Sequence, residues 1–311
     1  MPTHPWITQN LPDLSGTLAV ITGANSGIGF ETTKALAGNG AQVVMAIRSL
    51  ERGQAAAERI RSQHPQARLE IMLLDLADLD SVHRFADEFL ERYTSLPVLI
   101  NNAGLMGVSH RLTQDGFEML FGVNHLGHFA LTGLLLPLIL AAPAGRVVTL
   151  SSMMHLVARR GFDGLDGARR QDFDGTYSQS KLANLLFAYE LQRRLEQTGS
   201  KAISLACHPG YAATNLQLAG ARQSGSKVME VAWTVLNHTM AQSAVMGALP
   251  VLYAVTSPDV NGGDYIAPHL LFGWRGTPTK ARSSRLSYDP TLATRLWELS
   301  EEWTGVKYNL R

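Results

Sequence analysis

One cysteine, Cys207, occurs among 311 residues. No internal disulfide can form, which fits a reducing compartment. Charge is sparse and balanced: 17% of residues are Asp, Glu, Lys or Arg, and the formal net charge is +1. That balance gives no electrostatic reason to expect nucleic acid or an anionic membrane as a partner. Long apolar runs are missing too. The longest, from Leu131 to Ala142, is broken at Thr132, Gly133 and Pro137. It falls short of the ~20 residues of a membrane span, so a buried or subunit-facing helix is expected. Met1 to Leu11 holds two prolines and lacks the basic-then-apolar layout of a signal peptide. A cytoplasmic location follows as the expectation. There is no repeat, low-complexity segment or Pro/Gly/Ser-rich linker, which favours a single domain. A 45% hydrophobic share supplies a sizeable core.

Apolar β-rich runs alternate with helical patterns along most of the chain. Strands are expected at Leu18–Thr22, Gln42–Ile47, Leu69–Leu74, Val98–Ile100, Arg146–Leu150 and Ala202–Ala206. Helices are expected at about 26–37, 50–63, 80–93, 114–140 and from Tyr177 to about Gln197. Strands without in–out alternation, separated by helices, indicate a parallel sheet covered on both faces. Right-handed crossovers make this an α/β fold with a doubly wound, Rossmann-type parallel sheet. The alternating core spans 15–210; a helical region, 211–256, and a C-terminal extension, 257–311, follow it. Gly263–Ala267 is a candidate last strand. The final helix is marked by Asp289, Pro290 and Gly305, with Leu292, Leu296, Leu299 and Trp303 on one docking stripe.

The turn Thr22-Gly-Ala-Asn-Ser-Gly-Ile-Gly29 lies between the first strand and the first helix. Glycine at 23, 27 and 29 lets backbone N–H groups approach a pyrophosphate, and the helix N-terminus favours its charge. The end of the second strand then selects the dinucleotide. An acidic residue there accepts hydrogen bonds from the ribose of NAD and repels a 2′-phosphate. Here the residues are Ile47, Arg48 and Ser49, with no carboxylate before Glu51. A guanidinium makes charge-assisted bonds to phosphate, so NADP(H) is expected over NAD.

Tyr177 and Lys181 in Y-S-Q-S-K stand four residues apart, on one face of a helix. An ammonium about 5 Å away, at an effective dielectric of roughly 20, favours the phenolate by about 3 kcal/mol, or about two pKa units. Desolvation opposes this. The pair suits a proton donor or acceptor and the glycine turn a dinucleotide. Together they suggest hydride transfer.

The chain resembles the short-chain dehydrogenase/reductase family. T-G-A-N-S-G-I-G, Asn101-Asn-Ala-Gly104, Ser152, Y-S-Q-S-K and Pro209-Gly210 occur in that family's order, over about Ser15 to Thr214. The segments M-A-I-R-S-L-E-R-G, V-N-H-L-G-H-F, S-K-L-A-N-L-L-F and C-H-P-G-Y are similar to the retinol-dehydrogenase-like branch and its bacterial relatives. The resemblance implies that Asn25, Ser26 and Ile28 join the glycines around the cofactor and that Asp75 and Leu76 flank the adenine. Asn102, Ala103, Gly104, Pro209 and Gly210 would line the cofactor too, and Thr214 would meet the nicotinamide amide or a phosphate. Tyr177 would pass the proton, and Lys181 would lower the phenol's pKa and hold the nicotinamide ribose. Ser152 would hydrogen-bond the substrate oxygen. Asn124 would support a water linking Lys181 to solvent.

The interval between Ser152 and Tyr177 is wide for the family, and the insert 153–176 is expected at the rim of the substrate cleft or as a solvated loop. His125 and His128 stand one helical turn apart without a completing carboxylate or cysteine, so packing is preferred over a metal. His155 and His208 lie near the site in sequence.

The resemblance implies a homodimer or homotetramer built through the long helix after Asn124 and the helix bearing Tyr177; Leu131, Leu134, Leu135 and Leu138 fit such an interface or the core. The expected activity is NADP(H)-dependent hydride transfer to or from a small-molecule carbonyl or alcohol. Apolar residues at Leu216, Leu218, Met229, Val231, Trp233, Val235 and Leu236 suit a hydrophobic, retinoid- or steroid-like substrate. The alternatives are reduction of a carbon–carbon double bond, or a nucleotide-binding sensor without turnover.

Overall fold

The computed structural model describes residues 5–107, 111–159, 161–162, 173–211 and 242–310. Eight strands form one sheet in the order β3-β2-β1-β4-β5-β6-β7-β8. They are β1 (Leu18–Thr22), β2 (Gln42–Ile47), β3 (Arg68–Leu73), β4 (Val98–Asn101), β5 (Arg146–Leu150), β6 (Ile203–Cys207), β7 (Tyr265–Leu270) and β8 (Arg275–Ala281). All pairings through β7 are parallel; β8 runs antiparallel to β7. Strand order reverses beside β1, between β1 and β4, and there the carboxyl ends of the strands open a crevice.

After α1 (Pro5–Asn10), the covering helices are α2 (Gly27–Gly38), α3 (Leu50–Arg61), α4 (Leu79–Arg92), α5 (Met119–Ala141), α6 (Phe173–Gln197), α7 (Ala244–Thr256) and α8 (Pro290–Thr304). Successive strand residues point to opposite faces, and both faces are buried. Ile21 and Met45 pack with Phe30, Leu36, Ile60 and Leu249 on one side. Val20 and Val44 pack with Phe85, Phe89, Phe129 and Leu191 on the other. That is why these strands read as continuous apolar runs.

Two departures from the expected elements bear on the site. The helix expected from Gln114 starts only at Met119, where the Glu118 carboxylate caps the Phe121 N–H at 2.8 Å. Its next turn, Gly122–Leu126, is a π turn carrying Asn124. The helix is long and apolar enough by composition to cross a bilayer, with a mean hydropathy of 1.5, but 78% of that stretch is buried inside the fold. The second departure is β8, whose polar sequence with Pro278 gives no strand signal. It pairs at the sheet's edge, where a missing N–H is tolerated.

The C-terminal extension packs on α5 and α6. Asp289 caps α8 through the Leu292 N–H (3.0 Å), and Gly305 ends it at φ 70°. Leu292 and Leu296 are buried, as expected of the stripe, together with Trp297. The Trp297 ring lies 5.2 Å from Phe129 and 4.5 Å from Tyr308, whose hydroxyl donates to the Phe129 carbonyl at 2.6 Å. Leu131, Leu135 and Leu138 are thereby buried within the chain itself.

Candidate active site

A cleft of about 750 Å³ opens at the carboxyl ends of the central strands. Its wall brings together Gly23, Asn25, Ser26, Gly27, Ile28, Gly29, Arg48, Asp75, Leu76, Asn102, Ala103, Gly104, Tyr177, Lys181 and Pro209. Two expected residues are outside that wall but touch it: Asn124 Oδ1 is 3.2 Å from where a Cβ on Gly104 would stand, and the Ser152 hydroxyl bonds the Tyr177 phenol. Gly210 faces elsewhere: a Cβ there would lie 2.5 Å from the Trp274 carbonyl oxygen, so it serves the approach of the β7–β8 hairpin. Thr214 lies outside the described residues, as do the apolar side chains from Leu216 to Leu236.

The cradle between β1 and α2 is shaped by absence of side chains. A Cβ on Gly29 would stand 2.3 Å from the Gly23 carbonyl oxygen and 2.5 Å from Asn102 Nδ2. Gly23 adopts φ 66°, a region that costs other residues strain. The opposite wall is fixed by Thr22, a residue to which sequence reasoning gave no role. Its Oγ1 accepts the N–H groups of Asn102 and Ala103, each at 2.9 Å, and meets His128 Nε2 at 2.9 Å. His128 Nδ1 must donate to the Asn124 carbonyl (3.1 Å), so Nε2 accepts and Thr22 is the donor to it. Burial lowers the His128 pKa to about 4, keeping the ring neutral. His125 likewise falls to about 3 and meets Ser300 of α8 at 2.9 Å. Both histidines therefore hold structure together. Among the described residues no group of three or more His, Cys, Asp or Glu side chains is placed to hold a metal.

Arg48, at the end of β2, is exposed on the cleft wall. Arg52, one helical turn later, joins it. The R-x-x-x-R spacing across the start of α3 was the available signal for this second guanidinium. Asp75 lines the wall while one carboxylate oxygen accepts the Ala77 N–H at 3.0 Å.

The end of β5 and the start of α6 position the candidate catalytic groups Ser152, Tyr177 and Lys181. Ser151 Oγ donates to the Lys181 carbonyl at 2.8 Å, and Asn184 Nδ2 donates to the Leu150 carbonyl at 2.9 Å. These bonds lock helix to strand and place the Ser152 hydroxyl in hydrogen-bond contact with the Tyr177 phenol. Lys181 is buried, its Nζ 5.7 Å from the Tyr177 ring centre and 3.4 Å from the Leu150 carbonyl. Asn124 commits its side chain to the loop after β4: Oδ1 accepts the Leu105 N–H at 2.7 Å, and Nδ2 donates to the Leu105 carbonyl and to Ser180 Oγ, both at 3.0 Å.

The electrostatics correct one expectation. The Tyr177 pKa is raised, because burial outweighs the hydrogen bond from Ser152 that lowers it. The pairwise Coulomb argument predicted a lowered value. Burial also lowers the Lys181 pKa to about 8. In this site desolvation of both charged forms is the larger effect.

The insert after Ser152 is not wholly a solvated loop. Gln179, inside Y-S-Q-S-K, accepts the Arg159 N–H at 3.1 Å and donates to the Gly161 carbonyl at 2.6 Å. Residues 163–172 lie outside the described residues.

Comparison with known proteins agrees with this construction. A family model described as short chain dehydrogenase matches residues 17–224. Retinol dehydrogenase 11 of Mus musculus is 44% identical over 301 residues, covering 96% of this chain and 89% of that protein. Polyprenol dehydrogenase of Danio rerio is 36% identical over 302 residues, covering 96% and 90%. A crystal structure of an uncharacterized protein from Mycobacterium Paratuberculosis superposes with TM-score 0.80 at 42% identity, covering 97% of this chain and 98% of that one. A short chain dehydrogenase from Escherichia coli CFT073 complexed with NADPH shares the fold at TM-score 0.61 and 21% identity, covering 83% and 97%. With its nucleotide cradle, its Ser152, Tyr177 and Lys181 at one cleft, and relatives matching along nearly its whole length, the chain belongs to the short-chain dehydrogenase family of oxidoreductases, in the retinol-dehydrogenase-like branch.

Proposed function

We propose that this protein is an NADP(H)-dependent carbonyl reductase, running in reverse as an alcohol dehydrogenase, on an apolar aldehyde, ketone or alcohol of retinoid or long-chain type. The observation that carries the reading is the convergence of Tyr177 and Lys181 on the cleft that the glycine cradle opens into, with the Ser152 hydroxyl bonded to the Tyr177 phenol. The cradle fits a nicotinamide dinucleotide: Gly23, Gly27 and Gly29 line the cleft at the start of α2 with no side chain between backbone and cleft. Gly23, Gly27 and Gly29 would hold the pyrophosphate, and Asn102 to Gly104 the far side of the cleft. Arg48 and Arg52 together support NADP(H), each guanidinium being a strong partner for a 2′-phosphate. The bound nucleotide supplies or accepts the hydride.

The chain's own groups handle charge and proton. Ser152 donates a hydrogen bond to the substrate oxygen, on which charge develops. Tyr177 carries its proton at pH 7, and burial, which raises its pKa, extends that neutral form to more alkaline pH, so it is ready to give the proton to that oxygen. Lys181, held at the Leu150 carbonyl, places positive charge beside the phenolate left behind. The apolar substrate class is supported by the relatives that carry the names retinol dehydrogenase and polyprenol dehydrogenase.

The test is turnover of octanal and of all-trans-retinal with NADPH and with NADH, with product identification on an added enone. NADPH-dependent formation of the alcohol is expected, with Arg48→Asp shifting the NADPH/NADH preference at least tenfold toward NADH. A saturated ketone from the enone would instead make this a double-bond reductase. Unchanged turnover in Tyr177→Phe would refute the mechanism.

A further inference from the structure

Ser152 leaves β5 in an extended conformation (φ −151°, ψ 158°), and its backbone is tied to a distant part of the chain. The Ser152 carbonyl oxygen accepts a hydrogen bond of 2.6 Å from His155 Nδ1. The other ring nitrogen, Nε2, accepts the backbone N–H of Ser284 at 3.1 Å. A carbonyl only accepts and an amide N–H only donates, so both partners require one neutral tautomer, with the proton on Nδ1. Burial holds the His155 pKa below its usual 6.5, which keeps that neutral form at pH 7. The ring is 3% exposed and lies edge-on to Tyr265 at 5.7 Å, so it has little freedom to turn.

Ser284 in turn belongs to a braced segment. Ser283 Oγ meets both Tyr189 Oη (2.8 Å) and Ser287 Oγ (2.7 Å), and Ser287 Oγ donates to the Ser284 carbonyl at 2.7 Å. Tyr288 stacks on Tyr189 with ring centres 5.0 Å apart and planes 6° from parallel. Tyr189 stands on α6, the helix that carries Tyr177 and Lys181. A closed circuit results: Ser152, His155, Ser284, the 283–288 turn, Tyr189, and back along α6 to Tyr177. Each of the two proton-handling side chains is thus referenced to the other through the C-terminal extension as well as through the β5–α6 contacts.

We propose that His155 is a positioning residue, holding Ser152 against Tyr177 by tying the serine's backbone to the segment Ser283–Tyr288, so that the C-terminal extension completes the active site. This rests on the carbonyl-reductase reading of the same cleft. A displacement of about 1 Å at such a group is enough to cost up to ~100-fold in rate.

Ser284→Pro is the sharpest perturbation. It removes only the N–H that His155 accepts, and Ser284 already sits at φ −64°, the value proline imposes. The hydroxyl lost with it makes no hydrogen bond, and Ser284→Ala controls for that loss. His155→Phe keeps a flat ring beside Tyr265 while deleting both bonds, and serves if the proline variant fails to fold. With octanal and NADPH, kcat should fall about tenfold or more in Ser284→Pro and in His155→Phe. Nucleotide Kd should change less than twofold, and Ser284→Ala should match the wild type. In a Ser152→Ala background, Ser284→Pro should cost nothing further, because its effect passes through that serine. Retained kcat in both variants, or an equal further loss on top of the residual rate of Ser152→Ala, would overturn the inference, provided Ser152→Ala by itself still lowered kcat strongly. If Ser152→Ala left turnover intact, the reading of the cleft would fall first, and the inference with it.

Discussion

Acid should unfold this protein early, for a reason set in its interior. His125, His128 and His208 are at most 2% exposed, and burial lowers their pKa values from 6.5 to about 3, about 4 and about 3. Their folded values lie below the unfolded one, so between roughly pH 6.5 and 3 the unfolded chain binds more protons. Stability from these groups is therefore complete above pH 7 and is lost as pH falls. At pH 5 an unfolded histidine is favoured by about 1.5 pKa units, or about 2 kcal/mol per ring and about 6 kcal/mol for the three. That is comparable to the whole stability of an ordinary domain, about 5–15 kcal/mol. The assay is urea unfolding followed by tryptophan fluorescence at pH 7.5 and pH 5.0. A fall of roughly 6 kcal/mol is expected, and His128→Gln should remove about a third of it. A fall below ~2 kcal/mol would mean that at least two of the rings are charged in the native protein, and if His128→Gln then left the pH dependence unchanged, the neutral His128 drawn between Thr22 and Asn124 would be wrong.

Two further outcomes follow from the cleft. Gly29→Ala places a methyl group 2.3 Å from the Gly23 carbonyl oxygen, so NADPH affinity measured by fluorescence titration should weaken at least tenfold; unchanged affinity would remove the cradle from the binding site. Reductive kcat should hold level from pH 6.5 to 7.5 and decline as pH rises through about 8, where Lys181 loses its charge; Lys181→Arg, which stays charged, should lose that decline although its starting rate is lower.

The parts of this molecule that sequence made legible are those with a local signal. A strand buried on both faces is a run of Val, Ile, Leu and Ala, so β2 and β5 were expected with the ends they have. The glycine turn and the Tyr177–Lys181 pair are each contained within a few consecutive residues. What escaped depends on partners far apart in the chain or on burial. β8 has no apolar run because it needs none at the sheet's edge. The π turn at Gly122–Leu126 changes which carbonyl each N–H reaches, and no residue type there announces it. Thr22 gains its role only when β4 brings Asn102 and Ala103 beside it. The direction of the Tyr177 shift failed for the same reason: the lysine's attraction is readable from spacing, whereas the desolvation that overcomes it is a property of everything packed around the phenol.

That desolvation also bears on how the extension relates to the chemistry. Tyr177 and Lys181 are at most 7% exposed, and both lose hydration that would stabilise their charged forms. The cover over α6 is partly supplied by α8 and the 283–288 turn, which pack on the same helix beyond the reacting residues. An extension that thickens the low-dielectric surroundings extends the pH range over which the phenol stays protonated, which suits the proton donor of the proposed carbonyl reduction more than a base in alcohol oxidation. Oxidation needs the phenolate and should be favoured by alkaline pH, yet Lys181 becomes neutral near pH 8 and withdraws its support there. The two requirements conflict on the oxidative side only. In the proposed reduction, a neutral phenol and a charged lysine coexist from neutrality to about pH 8, so the proposed mechanism meets less conflict in that direction.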